Sequence, residues 1–185
     1  MGRVPAELVP GLRRGGALVT QQDLGEVVAE AGPRLGVRAG YRAWRADRDG
    51  GGAIPGALLG SPRDEAGNLI MIGSGRQHWS TVHAADLADA FRRVLEDDSA
   101  HGYYVVGNGT NSTLAELTEA AAAAVGAPGA VPGSDEEARA RFGDYFAEVL
   151  LLDQGTAAAK IRDELGWRPT RPSLAAEFRH GSYRR

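Results

Sequence analysis

The stretch from Asn68 to Leu95 constrains the fold of this chain more than any other part of the sequence. Leu69 to Ile72 is a short apolar run that ends at a glycine, which is typical of a buried β-strand. From Leu87 onward the apolar residues recur with the 3.6-residue period of an α-helix, at Leu87, Ala88, Phe91, Val94 and Leu95. The sequence therefore predicts a strand and a helix joined by a polar turn, and such positions often hold ligands in α/β proteins.

The turn between this strand and this helix carries the densest mixture of polar and aromatic groups in the chain. A cation, an amide, an imidazole and an indole follow one another at Arg76, Gln77, His78 and Trp79. We predict that these residues form a substrate-binding site, with a ligand touching Gln77 or His78 and stacking near Trp79. The alternative is that Trp79 packs in the core and His78 is exposed without a role, and the sequence leaves both open.

Two blocks of this sequence resemble the NAD-dependent epimerase/dehydratase family, the extended and atypical short-chain dehydrogenase/reductases. The block Trp79-Ser-Thr-Val-His83-Ala-Ala-Asp86-Leu-Ala88, after Gly73-x-Gly75, is similar to the family's V-H-V-D-D-L-A motif. The block Leu165-Gly-Trp167-Arg-Pro169 is similar to its closing L-G-W-x-P turn. The resemblance implies an α/β fold, with mainly structural roles for His83 and Asp86, although these two residues could in principle be metal ligands or an acid/base pair.

The resemblance covers about residues 50–178 and corresponds to the C-terminal, substrate-binding portion of that fold. We expect two or three short strands covered by about four helices, with the N-terminal Rossmann half largely missing. Residues 1–47 form a poorly matched leader with one helix candidate at Gln21 to Ala31, and residues 48–185 form the substrate-binding part. Self-association, or a complementing Rossmann-type partner, would cover the apolar faces that the missing half leaves bare.

An active enzyme of this family needs two features that this sequence lacks. One is a glycine-rich turn that places a dinucleotide pyrophosphate at a helix N-terminus, and neither G-x-G-x-x-G nor G-x-x-G-x-x-G occurs. The other is a Tyr-x-x-x-Lys pair, in which the lysine lowers the tyrosine pKa for acid/base work. The only lysine is Lys160, and Thr156 stands four residues before it. We therefore expect no cofactor for this chain alone, although the resembling family uses NAD or NADP.

Three functions follow from these observations. The chain is a truncated or partial epimerase/dehydratase-like protein for a sugar or small carbonyl substrate, inactive alone. Alternatively it is a non-catalytic small-molecule-binding or partner module derived from that family. The third alternative is a cofactor-independent cyclase or isomerase that uses His78, His83 or a tyrosine as its acid or base.

The composition argues against several kinds of partner and of chemistry. The net charge is only −3, which argues against a nucleic-acid or anionic-membrane partner. No cysteine is present, so disulfides and thiol catalysis are excluded, and no site here is predicted to hold a metal. No apolar run reaches the roughly 20 residues that span a bilayer, and we expect a cytoplasmic protein.

Further elements follow the central helix. We predict a strand from Gly102 to Gly107, and a helix from Thr113 to Val125 that opens with a capping box. A second helix is predicted from Asp135 to Leu152, broken near Gly143, with its aromatic residues Phe142, Tyr145 and Phe146 in the core. The last helix is predicted from about Thr156 to Leu165.

Overall fold

The computed structural model describes residues 43–44 and 53–184. These residues contain short strands and helices in an α/β arrangement, as predicted, with more of each than expected. The helices are α1 (Ala53–Leu59), α2 (Ala84–Glu96), α3 (Leu114–Ala124), α4 (Asp135–Phe142), α5 (Asp144–Leu151), α6 (Ala159–Leu165) and α7 (Leu174–His180). The strands are β1 (Ala43–Trp44), β2 (Leu69–Ile70), β3 (His78–Ser80), β4 (Val82–His83), β5 (Asn111–Thr113) and β6 (Ala130–Val131).

The strands pair two by two. The pairs β1–β4 and β2–β6 are parallel, whereas β3 and β5 are antiparallel, with His78 opposite Thr113 and Ser80 opposite Asn111. Strand β1 lies within the leader predicted for residues 1–47, so a small part of that leader belongs to the fold. The predicted helix at Gln21 to Ala31 lies outside the described residues.

Local signals in the sequence place several helix ends correctly. Thr113 and Glu116 form the predicted capping box, in which each side chain accepts a hydrogen bond from the other residue's backbone N–H. The predicted break at Gly143 is also confirmed, because this residue separates α4 from α5 with a φ of 77° that favours glycine.

Two groups of buried residues form the core. The larger group joins α1, α3 and α7 and includes Trp79, Leu58, Leu117 and Phe178. The smaller group packs one face of α2 against α6 and includes Phe91, Tyr104, Ile161 and Trp167. The periodic apolar face predicted for α2 is thus buried within this chain. The expectation that a missing Rossmann half leaves such faces bare is therefore wrong for α2.

The predicted strand from Gly102 to Gly107 is wrong. Its side chains do alternate, since Tyr103 is 62% exposed and Tyr104 is 1% exposed. However, a strand also needs ladder hydrogen bonds to a neighbour, and no strand is assigned between residues 102 and 107. Packing Tyr104 onto α2 is sufficient to produce the alternation that the sequence shows.

The prediction that the aromatic residues after Asp135 lie in the core is wrong for two of them. Tyr145 is 84% exposed and Phe146 is 46% exposed, whereas Ala147 and Leu150 of the same helix are buried. Helix α5 has apolar residues on more than one face, so its sequence alone does not indicate which face packs inward.

Candidate functional site

The predicted site comprises the end of the loop after β2, with Arg76 and Gln77, and the first two residues of β3, His78 and Trp79. Gly73 and Gly75 have φ angles of 64° and 76°, in the left-handed region that favours glycine. A Cβ atom on Gly73 would collide with Leu151, and one on Gly75 would lie 2.5 Å from the sulfur of Met71. These two glycines therefore permit both the turn and its close packing against α5.

Gln77 and Trp79 point into the protein. Gln77 is 7% exposed, and its Nε2 donates a hydrogen bond of 2.8 Å to the carbonyl of Ile72. The Trp79 ring is fully buried, and its Nε1 donates to the carbonyl of Leu150 at 2.9 Å. Of the two positions that the sequence left open for Trp79, packing in the core is the one observed. The side chain of Gln77 bridges the turn on its inner side.

Arg76 and His78 point outward from the same turn. His78 is about half exposed, and its Nδ1 lies 2.9 Å from Oδ1 of Asp153. The same carboxylate oxygen accepts a hydrogen bond from the backbone N–H of His78 at 2.8 Å. These two hydrogen bonds, with the backbone one first, hold the pKa of Asp153 below its usual range.

Asp153 is a candidate residue that the sequence analysis missed. It lies 75 residues from His78 in the chain, directly after α5, and no motif surrounds it. Because the ionised carboxylate only accepts, a neutral His78 must present Nδ1–H to Asp153, leaving Nε2 as an acceptor. The arrangement therefore gives a surface imidazole of fixed orientation that can take up a proton.

An open groove lies between β2 and α4; its lining includes Ile72, directly before the turn, but none of Arg76, Gln77, His78 and Trp79. It has a volume of about 340 Å³ and is lined mainly by apolar side chains, with Ile70, Ile72 and Phe142 among them. Arg141 and Glu137 supply its charges. Arg141 donates to the carbonyls of Ala57 and Gly60, and burial lowers its pKa from the usual value. The groove suits a small molecule with both apolar and polar parts.

The two sequence blocks that carried the family resemblance meet in space. Asp86 is 4% exposed, and its carboxylate accepts hydrogen bonds from Thr170 N, Thr170 Oγ1 and Arg171 N at 2.9–3.0 Å. The backbone carbonyl of Asp86 also accepts a hydrogen bond, of 3.0 Å, from Trp167 Nε1. The structural role expected for Asp86 is confirmed. Besides placing a favourable charge at a helix N-terminus, its carboxylate joins the two sequence blocks through hydrogen bonds.

His83 also has a structural position. It is the N-cap of α2, and its Nδ1 accepts a hydrogen bond from Ala85 N at 3.0 Å. Burial, the largest influence, lowers the pKa of His83. Within residues 53–184, His, Asp and Glu side chains form no group of three or more that could hold a metal ion.

A tyrosine and the only lysine do meet in space, although not as Tyr-x-x-x-Lys. Lys160 Nζ lies 4.3 Å from the centre of the Tyr104 ring, and the phenol donates to Glu164 at 2.7 Å. Burial, and then the bond to Glu164, raise the pKa of Tyr104. The family chemistry needs a lowered tyrosine pKa. This pair therefore does not replace the missing one.

The described helices also bear on the membrane expectation. None of them combines the length and the apolar character needed to cross a bilayer.

Solved structures first define the class as α/β proteins of the short-chain dehydrogenase/reductase type. Human epimerase family protein SDR39U1 (isoform 2), solved with NADPH, aligns with a TM-score of 0.55 and 25% identity over 79% of this chain and 47% of that one. UDP-N-acetylglucosamine 4-epimerase from Bacillus cereus shares the fold, with a TM-score of 0.54 and 12% identity over 89% of this chain and 54% of that one.

Curated relatives agree with the solved structures, although no protein-family model matches the chain. Epimerase family protein SDR39U1 of Mus musculus is 31% identical over 131 residues, which are 70% of this chain and 43% of that protein. Uncharacterized protein C2A9.02 of Schizosaccharomyces pombe is 27% identical over 88% of this chain and 55% of its own length. The chain is similar in sequence and in fold to the epimerase family of short-chain dehydrogenase/reductases. It spans about half the length of the curated relatives it matches.

Proposed function

We propose that this chain forms the substrate-binding half of an NAD(P)-dependent epimerase-family oxidoreductase that acts on a sugar or a small carbonyl compound. The observation that carries the proposal is the groove between β2 and α4, whose lining reaches Ile72, directly before the turn from Gly73 to Trp79. Its apolar lining and its two charged side chains suit a compact polar molecule with some apolar surface.

In this proposal two of the four residues contact the substrate and the other two hold the backbone in place. Arg76 and His78 are exposed and provide the cation and the imidazole that contact the substrate. Gln77 and Trp79 are buried and fix the backbone that presents them, through their hydrogen bonds to Ile72 and Leu150. Preorganised donors of this kind lower the cost of ordering a site when the ligand binds.

The residues of this chain do not fit a nicotinamide dinucleotide by themselves. The glycine-rich turn for a pyrophosphate does not occur in the sequence, and Tyr104 and Lys160 are engaged elsewhere. A relative, human SDR39U1, was solved with NADPH. We propose that a Rossmann-type polypeptide, which would supply the cofactor and the acid/base tyrosine, complements this half.

Ligand titration by calorimetry tests the substrate site. The probes are UDP-glucose, as a nucleotide sugar, and dihydroxyacetone, as a small carbonyl compound. We expect one of the two to bind, and we expect Arg76→Ala with His78→Ala to weaken that binding at least about tenfold, or about 1.4 kcal/mol. The unfolding midpoint should not change. His101→Ala, which alters another exposed histidine, is the matched control and should leave binding unchanged.

Two results would contradict the proposed site. One is that neither probe binds to a folded chain. The other is that the double variant binds as tightly as the original protein. NADPH should not bind usefully to the isolated chain, and a micromolar dissociation constant for it would overturn the division into two halves.

The pairing of His78 with Asp153 favours a second candidate function, an isomerase or cyclase that needs no nicotinamide. In such a reaction His78 Nε2 would accept a proton from the carbon next to a substrate carbonyl, and the carboxylate would stabilise the imidazolium. Exchange of the carbon-bound hydrogens of dihydroxyacetone in D₂O, followed by NMR, tests it. Exchange catalysed by the chain, abolished by His78→Ala and reduced by Asp153→Asn, would support this function, and exchange equal to that of buffer would exclude it for this probe.

A further inference from the structure

Two buried polar atoms in the described part of the chain have no hydrogen-bond partner, and both belong to residues beside one turn. The atoms are Ser80 Oγ and Arg162 Nε. A Cβ on Gly107 would lie 2.8 Å from Ser80 Oγ, and one on Gly109 would lie 2.5 Å from Arg162 Nη2. The turn from Gly107 to Gly109 therefore sits between a hydroxyl and a guanidinium group.

Of these two groups, the guanidinium of Arg162 is the less usual one to find without a hydrogen-bond acceptor. Arg162 lies on α6 and is only partly exposed, yet no described residue accepts a hydrogen bond from its guanidinium group, and no described carboxylate lies within ion-pair distance of it. By contrast, Arg93 pairs with Asp89, and Arg168 donates to two backbone carbonyls. A buried donor such as Nε that lacks an acceptor is costly in a folded protein.

The turn itself carries further donors without an acceptor. Asn108 Oδ1 accepts hydrogen bonds of 2.9 Å from Thr110 N and from Thr110 Oγ1, which fixes the backbone of the turn. Its own amide Nδ2 and the N–H of Gly109 have no acceptor among the described residues. Gly109 has a φ of 84° and is exposed, so solvent reaches this side of the turn.

We propose that Arg162 and the turn from Gly107 to Gly109 form a binding site for an oxyanion, the phosphate or carboxylate group of a small molecule. The Nη nitrogens, which lie against Gly109, would donate to the oxygens, as guanidinium groups do with such groups. Asn108 Nδ2 and Gly109 N would complete the donor set. The anion supplies the acceptor that the guanidinium lacks.

This site is separate from the turn that starts at Gly73. Strands β3 and β5 are antiparallel, with Gln77 and Leu114 joined at one end of the pair and Thr81 and Asn108 joined at the other. The oxyanion site therefore lies at the far end of this ladder, and the proposed substrate-binding function is independent of it.

Thermal unfolding of the full chain tests the site, with inorganic phosphate or acetate replacing chloride at constant ionic strength. A ligand that binds only the folded chain raises the unfolding midpoint by mass action. We expect phosphate, acetate or both to raise it. Arg162→Met should lose at least about four-fifths of this rise, and it should not lower the midpoint in chloride, because it removes a buried unpaired donor while keeping an apolar stem of similar length.

Arg168→Met is the matched control, since it removes a neighbouring guanidinium that already has acceptors, and the anion response should persist in it. A response to phosphate alone would identify a phosphate group, and a response to acetate alone a carboxylate. An equal response in all three proteins would show general ion effects and refute the site. A lower midpoint of Arg162→Met in chloride, together with an unchanged anion response, would show that Arg162 is structural.

NMR keeps the proposal testable if Arg162→Met does not fold. Phosphate or acetate should then shift the amide resonance of Gly109 in the original protein, with saturation, and shift it less in Arg162→Lys, which keeps the charge but loses the forked donors. No saturable shift of Gly109 with either anion would overturn the proposal.

Discussion

Replacing Asp86 by asparagine tests whether one carboxylate joins the two sequence blocks of this family. Oδ1 of Asp86 accepts from Thr170 N at 3.0 Å and from Thr170 Oγ1 at 2.9 Å, and Oδ2 accepts from Arg171 N at 3.0 Å. Asparagine keeps the shape and one oxygen, but its NH₂ group would face one of these donors. Hydrogen bonds to a charged group contribute about 1.5–3 kcal/mol each, and neutral ones about 1 kcal/mol.

The expected loss follows from these values. One of the three hydrogen bonds is lost and two are weakened, so the free energy of unfolding should fall by about 3 kcal/mol. For a chain of this size that corresponds to a decrease of roughly 6–12 °C in the unfolding midpoint. Urea denaturation followed by tryptophan fluorescence measures the free energy directly, because Trp79 and Trp167 are both fully buried.

The control for this prediction is Asp163→Asn. Asp163 is exposed on α6 and has no hydrogen-bond partner among the described residues, so the change should stay within about 0.5 kcal/mol. If Asp86→Asn also stays within about 0.5 kcal/mol of the original protein, the carboxylate does not hold the two blocks together, and the reasoning fails.

Three further predictions concern the turn and the helix that follows it. Gln77→Ala should lower the free energy of unfolding by about 1–3 kcal/mol, since it leaves the buried carbonyl of Ile72 unpaired, whereas His78→Ala should change it by less than about 1 kcal/mol; urea denaturation of both variants checks this contrast. Trp79→Ala should cost about 3–5 kcal/mol in the same assay, because the ring is fully buried, and a smaller loss would contradict the packing. The pKa of His83 is lowered in the folded chain, so its contribution to stability is fully present above about pH 6.5 and is lost as the pH falls through the folded pKa; melting curves between about pH 5 and 8 should show this fall, reduced in His83→Asn, which can still cap α2.

The candidate site shows how far residue types alone can lead. The sequence located the turn from Gly73 to Trp79 between a strand and a helix, and both elements are present. It did not separate the inward pair, Gln77 and Trp79, from the outward pair, Arg76 and His78. The four residues alternate outward and inward, as residues of a strand do, and His78 and Trp79 belong to β3. In the sequence, however, three of the four are polar, so no apolar alternation indicates the direction of each side chain. The assignment of the four residues to a ligand stays a prediction.

The hydrogen-bond partners of these side chains could not be predicted from the sequence. Asp153, Leu150 and Thr170 contact the central block across 71 to 84 residues of chain, and none stands in a motif. Such contacts depend on how helices pack, and many sequences of similar composition could satisfy the same packing. Hence the sequence located the turn but not the hydrogen-bond network around it.

The sequence by itself determined those features that depend on neighbouring residues. The capping box at Thr113, the break at Gly143 and the apolar face of α2 are set by residues within a few positions of one another, because helix ends and amphipathic faces are local properties. The two family blocks were readable for the same reason. Only the tertiary structure decided which apolar residues are buried. Tyr145 is an aromatic residue of a kind often found in cores but lies on the surface, whereas the polar side chain of Asp86 is buried. Burial depends on contacts between distant segments, and a buried carboxylate is tolerated where hydrogen-bond donors surround it.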